Sequence, residues 1–392
     1  MLRNVLAIAA IALTAACSQA QDYVPPEDDA AWSRLSPEEA GLNAGRLQAA
    51  IDFAVANETR PPEGWEGIDA RDLRLMVPLR WAFEPHSSPL GELRPRGEPS
   101  GIILRGGHII AEWGEPSRVD MTFSVSKTFL SHVVGLAVDD GLIGSVRDRV
   151  SDYVADERFH TEHNTPITWE QMLQQSSGWW GTLFGKPAWA DRPARDNPAR
   201  DLVAGPPEPG SAYEYNDVRV NALALAALHV WERELPEVLD ERIMTPIGAT
   251  HGWEWRGYEN SYVEIGGETL WSVSGGGHWG GGMFISAYDQ ARLGLLGLRR
   301  GNWGGEQLLS EAWFEASLTP SPNNAGYGYM NFFLNRGDNG ADAAPETSFA
   351  YLGAGTNMVY IDPENDIVAV VRWIDSGQRN EFIAMLMAAI EE

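Results

Sequence analysis

Two blocks of strand-like sequence, one near each end of the chain, limit what it can fold into. The first runs Gly101-Ile102-Ile103-Leu104, Arg105-Gly106-Gly107, then His108-Ile109-Ile110-Ala111-Glu112-Trp113. Apolar and β-branched residues flank a Gly-Gly turn, which is the pattern of a hairpin. The second block comprises Thr347–Gly353, Met358–Ile361 and Ile367–Trp373, with Asp362-Pro363-Glu364-Asn365 as a turn. Between them, from about 142 to 290, helical spacing and long Gly/Pro/Trp loops prevail, with Asn221–Glu232 and Ala287–Arg299 as the clearest helices. Strands at both ends and helices between them predict an α+β fold. An antiparallel sheet flanked by helices is built from both termini and carries an inserted, mostly helical subdomain. The expected division is 35–130 with 291–392 as the α/β half, and 131–290 as the helical half.

Shorter signals fill in the rest. Ser36, Pro37 and Glu39 make an N-cap, an N1 proline and a capping-box acid, so a helix is expected from there through about Asn57. Phe129, Leu130, Val133, Val134 and Ala137 recur at helical spacing, and Gly141 suits the left-handed stop. Glu381–Ile390 reads as a last amphipathic helix. Residues 60–99 give no clear element. Residues 21–34, with Pro25-Pro26-Glu27-Asp28-Asp29, read as a flexible tether. Residues 1–20 read as an export signal: Arg3 precedes an apolar run from Val5 to Ala16 that is too short to span a bilayer. Ser18-Gln19-Ala20 fits ordinary signal-peptide cleavage, and Leu13-Thr14-Ala15-Ala16-Cys17 fits lipidation at Cys17. The expected location is the periplasm, with membrane attachment only through that lipid.

Cys17 is the single cysteine, so the exported part has no disulfide, no thiolate chemistry and no cysteine-based zinc site. His160 and His163 are spaced like half of a metal site, but no carboxylate-rich partner accompanies them. No metal or other cofactor is expected. A formal net charge of −26 disfavours nucleic acid and anionic surfaces as partners. The positive charge is also unusual in kind, with two lysines, Lys127 and Lys186, against 27 arginines. Lys127 lies three residues after Ser124. At a helix start that spacing puts amine and hydroxyl one turn apart on the same face, as a nucleophile beside its activator. An amine can give up its proton and act as a base, whereas a guanidinium cannot. The Ser124 N–H at a helix N-terminus would supply one oxyanion donor in a favourable field. A second candidate segment is Pro209-Gly210-Ser211-Ala212-Tyr213-Glu214-Tyr215-Asn216-Asp217, where the Tyr215 phenol near an ammonium could pass a proton.

Ser124-Val125-Ser126-Lys127 resembles the Ser-x-x-Lys element of serine β-lactamases and penicillin-binding proteins, and Tyr215-Asn216-Asp217 resembles their Tyr-x-Asn element. More closely, the chain is similar to class C β-lactamase-like hydrolases, including family VIII carboxylesterases, D-amino-acid amidases and aminohexanoate-dimer hydrolases. Met172-Leu173-Gln174-Gln175-Ser176-Ser177-Gly178 and Gly280–Asp289 are similar to two further family segments. The likeness spans about residues 35–390. It implies a β-lactamase-like fold and acyl transfer from a Ser124 acyl-enzyme, with Lys127 and Tyr215 moving the proton. The Ser124 and Ala354 amides would hold the oxyanion.

The family's Lys/His-Thr-Gly strand corresponds to Tyr351-Leu352-Gly353. Its cation and hydroxyl, which hold a substrate carboxylate in the family, are missing here. Asp217 replaces an asparagine, and its carboxylate would favour the Lys127 ammonium and repel anionic substrates. Asp217, Tyr351, Leu352, Gly353, Trp179, Trp180 and His278 are the expected substrate-cleft residues, with Trp189 and Trp279 as further aromatics. The resulting expectation is an exported serine hydrolase of a small-molecule ester or amide. The alternatives are a β-lactamase or D,D-peptidase, and a non-catalytic module on the same fold.

Overall fold

The two strand blocks meet in one sheet. The computed structural model describes residues 23–61, 63–80, 93–191, 200–249, 252–275 and 282–391. Its principal strands are β1 (Ser100–Arg105), β2 (His108–Trp113), β3 (Asp120–Met121), β4 (Glu254–Ile265), β5 (Glu268–Val273), β6 (Gly282–Ile285), β7 (Phe349–Gly353), β8 (Asn357–Asp362) and β9 (Ile367–Arg372). The principal helices are α1 (Ala44–Ala56), α2 (Ser126–Asp139), α3 (Asp217–Trp231), α4 (Ala287–Leu298) and α5 (Arg379–Ala388). The main sheet has the order β7-β8-β9-β1-β2 and is antiparallel throughout. Gly106 and Gly107 both take positive φ, 60° and 80°, and this closes the first hairpin in the tight turn that a glycine pair allows.

The period-2 alternation of these strands divides the core in two. Ile102, Leu104, Val359, Ile361, Val368 and Val370 face one way, where α4 lies across β8, β9 and β1. Ile103, Met358, Tyr360, Ala369 and Val371 face the other way, in a cluster with residues of the packed helix pair α1 and α5. Helix α4 comes so near the sheet that a Cβ on Gly294 would sit 2.6 Å from Val368 Cγ1, which explains a glycine in mid-helix. This is the β-lactamase-like fold expected from sequence: mixed helices around antiparallel sheets.

Three local expectations need correction. Residues 23–34 are packed structure and not a tether. Trp32 is buried and donates its indole N–H to Gly107 O at 2.8 Å, Arg292 reaches Asp29 at 2.8 Å, and Tyr23 stacks on His108. The acidic, proline-rich composition concealed the anchoring tryptophan. The capping box at Ser36 and Glu39 does form, but it closes only a turn that ends at Gly41 with φ of 73°; α1 starts later, capped by Asn43. The helical half also holds the β4–β5 hairpin, and β6 pairs with β3 in a second sheet of order β3-β6-β4-β5. The many charged and glycine residues of 254–273 hid its alternation. Residues 1–22, with Cys17 and the export signal, lie outside the described residues.

Candidate active site

Ser124 sits where the second sheet hands the chain to α2. Thr122 N donates to Met283 O on β6, and Phe123–Val125 then form a single 3-10 turn. The helix therefore starts at Ser126, two residues after the expected point. Phe123 has φ of +51°, a left-handed conformation that costs a non-glycine residue about 1–2 kcal/mol. Ser126 Oγ bonds both Phe123 O (2.8 Å) and Gly275 O (3.0 Å), tying the strained turn down from inside. One turn on, Lys127 Nζ is 2.9 Å from Ser124 Oγ, and its side chain is only 1% exposed.

The opposite wall is the start of α3. Asn216 caps it by accepting the Arg219 N–H, so Asp217 is the first helical residue and points back at α2. Asp217 Oδ1 lies 2.7 Å from Lys127 Nζ, with both side chains buried. A carboxylate at that distance in a low-dielectric setting favours the ammonium. Tyr215 arrives alongside: Lys127 Nζ is 4.7 Å from its ring centroid, and the ring packs against Tyr327 and Phe332. The loop bearing Tyr215 is hung on the Met172–Gly178 segment. Gln175 accepts Glu214 N on its carbonyl (2.8 Å) and Asn216 N on Oε1 (3.1 Å), and Ser176 O accepts Gly210 N. Gln175 was visible as part of a motif but not as the residue that holds the tyrosine; its φ of 56° is a structural signal that no sequence pattern carried.

Strand β7 closes the site. A Cβ on Gly353 would fall 2.1 Å from Thr122 O and 3.1 Å from Ser124 N, so only glycine lets the strand pass this close to the nucleophile. The next residue, Ala354, is thereby brought beside Ser124. It is held from behind by Asn357, which donates to Ala354 O at 2.9 Å and accepts from Arg372 at 3.1 Å.

Not every expected cleft residue faces this space. Tyr351 points into the core. It is 2% exposed, lies edge-on to His132, and its hydroxyl fills the gap that Gly297 leaves in α4. Burial pushes the Tyr351 phenol well above its ordinary range and the His132 imidazole down to about 4. Strand alternation turns Leu352 to the opposite face, where it packs half-buried against the cluster of α1 and α5 and away from Ser124. Trp179 is also a core residue, fully buried against Phe159. Trp180 and Trp189 instead line a groove of about 410 Å³ with Tyr213, Pro206, Pro207 and the Glu214–Arg219 ion pair. His278 and Trp279 lie outside the described residues. His160 and His163 each bond a backbone carbonyl, of Val154 and Gly178 respectively.

Lys186 shares no motif with Lys127 in the sequence. The structure brings it to the same site. Its Nζ is 2.8 Å from Asp191 Oδ1, both side chains are 2% exposed, and Asp191 Oδ2 accepts the Asp217 N–H at 2.7 Å.

Comparison with known proteins identifies the family and the fold. The Beta-lactamase family model matches residues 103–386. A penicillin-binding protein homolog from Caulobacter crescentus superposes with a TM-score of 0.58 at 15% identity, covering 89% of this chain and 99% of that one. A Bacillus anthracis protein assigned as a 6-aminohexanoate-dimer hydrolase gives 0.52 at 15% identity, covering 87% and 92%. A penicillin-binding protein from Bacillus halodurans gives 0.51 at 19% identity, covering 74% and 94%. At these identities the likeness is one of fold. Among curated proteins no sequence match was found.

Proposed function

Because the chain belongs to the beta-lactamase family of serine hydrolases, we propose that it cleaves an ester or amide of an uncharged, largely apolar small molecule through an acyl-enzyme on Ser124. The observation that carries this reading is the buried series Ser124 Oγ, Lys127 Nζ, Asp217 Oδ1, with steps of 2.9 and 2.7 Å. A nucleophile, a base and a group that orients the base are the parts acyl transfer needs.

Ser124 Oγ attacks the carbonyl carbon while its proton passes to the Lys127 amine, and Asp217 stabilises the ammonium that forms. The Ser124 and Ala354 N–H groups hold the oxyanion. As the tetrahedral intermediate collapses, the leaving oxygen or nitrogen takes a proton from the Tyr215 hydroxyl, which is resupplied from Lys127. Water then attacks the acyl-enzyme and gives its proton to the same pair, and Ser124 leaves with its own proton restored.

Two features favour a neutral substrate. The strand wall offers a substrate carboxylate neither ammonium nor hydroxyl, because Tyr351 turns its phenol into the core and Leu352 packs on the opposite face. Asp217 adds a negative charge behind the nucleophile. Export, with lipidation at Cys17 or cleavage after Ala20, is part of the same proposal and rests on the N-terminal sequence. Mass spectrometry of the mature N-terminus tests it, since a retained Met1–Arg3 would refute it.

The deciding experiment treats the purified protein with a fluorophosphonate probe and compares short p-nitrophenyl esters with a chromogenic cephalosporin. An adduct on Ser124 with faster ester turnover is the expected result. No adduct would leave a non-catalytic module, and faster cephalosporin turnover would select the β-lactamase reading.

A further inference from the structure

The chain's only two lysines form two buried ion pairs that share one peptide group. From one end to the other the groups are Lys186 Nζ, Asp191 Oδ1 at 2.8 Å, Asp191 Oδ2 to the Asp217 N–H at 2.7 Å, Asp217 Oδ1 to Lys127 Nζ at 2.7 Å, and Ser124 Oγ at 2.9 Å. Their signs run positive, negative, negative, positive. A buried ion pair far from any chemistry adds little stability over an apolar pair of the same volume. Asp191 does more than pair with a lysine, because it accepts the first N–H of α3, at the positive end of the helix. The same loop receives Asn216 Nδ2 on Ala188 O at 2.9 Å, so the start of α3 is held at two points.

We propose that Lys186 and Asp191 are positioning residues for the acyl-transfer reaction assigned above, on which this inference rests. Asp191 fixes the residue that carries the Asp217 carboxylate. Lys186 cancels the charge of Asp191, so that Lys127 is governed by Asp217 alone. Among the described residues, the titratable and charged groups around the chain are Lys127 on α2, Tyr215 and Asp217 at the start of α3, Lys186 and Asp191 on the loop beneath it, Tyr258 on β4, and Tyr327 against the Tyr215 ring, whose phenol is raised by burial first and also by Tyr213, Tyr215 and Asp217. The phenol of Tyr258 is raised by burial first, and also by the charges of Asp217 and Asp191. Arg219 is committed to Glu214 and to Trp179 O.

The two members of the pair then act on Lys127 with opposite sign. Removing Lys186 leaves the Asp191 carboxylate uncancelled, which strengthens the ammonium, so the free amine appears only at higher pH. Removing the Asp191 charge leaves the Lys186 ammonium uncancelled and does the reverse. The test is the pH dependence of kcat/KM for a p-nitrophenyl ester with wild type, Lys186→Met, Asp191→Asn and the double variant. The acidic limb is expected to move up by about one pH unit in Lys186→Met, roughly tenfold in rate on that limb, and down in Asp191→Asn. In the double variant it returns to within a few tenths of wild type. KM is expected to stay within about threefold, because neither residue touches substrate. If Lys186→Met does not fold, the downward move in Asp191→Asn and its reversal in the double variant carry the same sign. A pair that merely braces the loop would lower the melting temperature and leave the limb where it is, and that result overturns the proposal. Failure of the wild type to form a Ser124 adduct would overturn the reaction itself and is read separately.

Discussion

The two walls of the cleft are built on different principles. The helical wall, from the starts of α2 and α3, concentrates charge: Lys127, Asp217, Asp191 and Lys186 are all buried and all paired. The strand wall, Tyr351-Leu352-Gly353-Ala354, carries no charged side chain, and its decisive residue is one with no side chain at all. Bond-making needs groups that gain and lose protons in fixed places, and these survive burial only with counter-charges. The strand supplies a backbone N–H and an approach distance, which depend on shape. The walls should therefore fail in different ways when altered.

The largest effect is expected for Lys127→Arg. It keeps the charge beside Asp217 but removes the proton acceptor, and it should lower kcat at least about 1000-fold with Ser124 phosphonylation similarly slowed. Next is Gly353→Ala on the other wall. Its methyl meets Thr122 O, so the strand must back away from Ser124; kcat should fall about 10- to 100-fold without any shift in the pH limb. Asp217→Asn should cost about tenfold at its plateau and move the acidic limb to lower pH, because the ammonium loses its counter-charge. A limb shift in Gly353→Ala, or none in Asp217→Asn, would break the division between the walls. Leu352→Thr puts a hydroxyl on the strand face turned away from Ser124, so it should change ester turnover by no more than about twofold and bring no cephalosporin turnover. A last effect touches stability and not turnover. The buried His132 imidazole titrates near 4, against its ordinary 6.5, so the fold resists the proton that the unfolded chain accepts. Stability is full above pH 6.5 and falls by up to about 3 kcal/mol as pH drops towards 4. Urea melts of wild type and His132→Phe across that range should differ in slope.

Much of this was readable in advance. The strands of both terminal blocks, the Gly-Gly turn, α2, α3 and α4 follow from periodicity and turn chemistry, because each is long or sharply bounded. The grouping of Ser124, Lys127 and Tyr215 followed from motif spacing, and the place of Gly353 on a cleft strand from the same resemblance. What escaped was decided by partners distant in sequence. Trp32 reads as part of a loose segment until Gly107 and Arg292 cover it. Lys186 belongs to no motif shared with Lys127 until Asp191 brings it under α3. Tyr351 is an aromatic on a strand whose facing depends on a register that the sequence does not state, and Trp179 is sorted from Trp180 by the same kind of alternation. The β4–β5 hairpin was missed because its outward positions are charged and its sheet is completed by β3, a strand far upstream.

The pairing of β1 with β9, Ile102 against Val370, also bears on how the enzyme comes into being. Synthesis delivers the nucleophile in the first third of the chain, and its oxyanion partner only near the end. Until the last strands emerge, β1 has an open edge and Ser124 lacks the Gly353–Ala354 strand that closes its site. A nascent or C-terminally truncated chain is thus expected to be catalytically silent, with hydrolytic competence arriving together with the completed sheet. Ribosome-stalled or progressively shortened chains should gain probe reactivity in one step, once β7, β8 and β9 are all present.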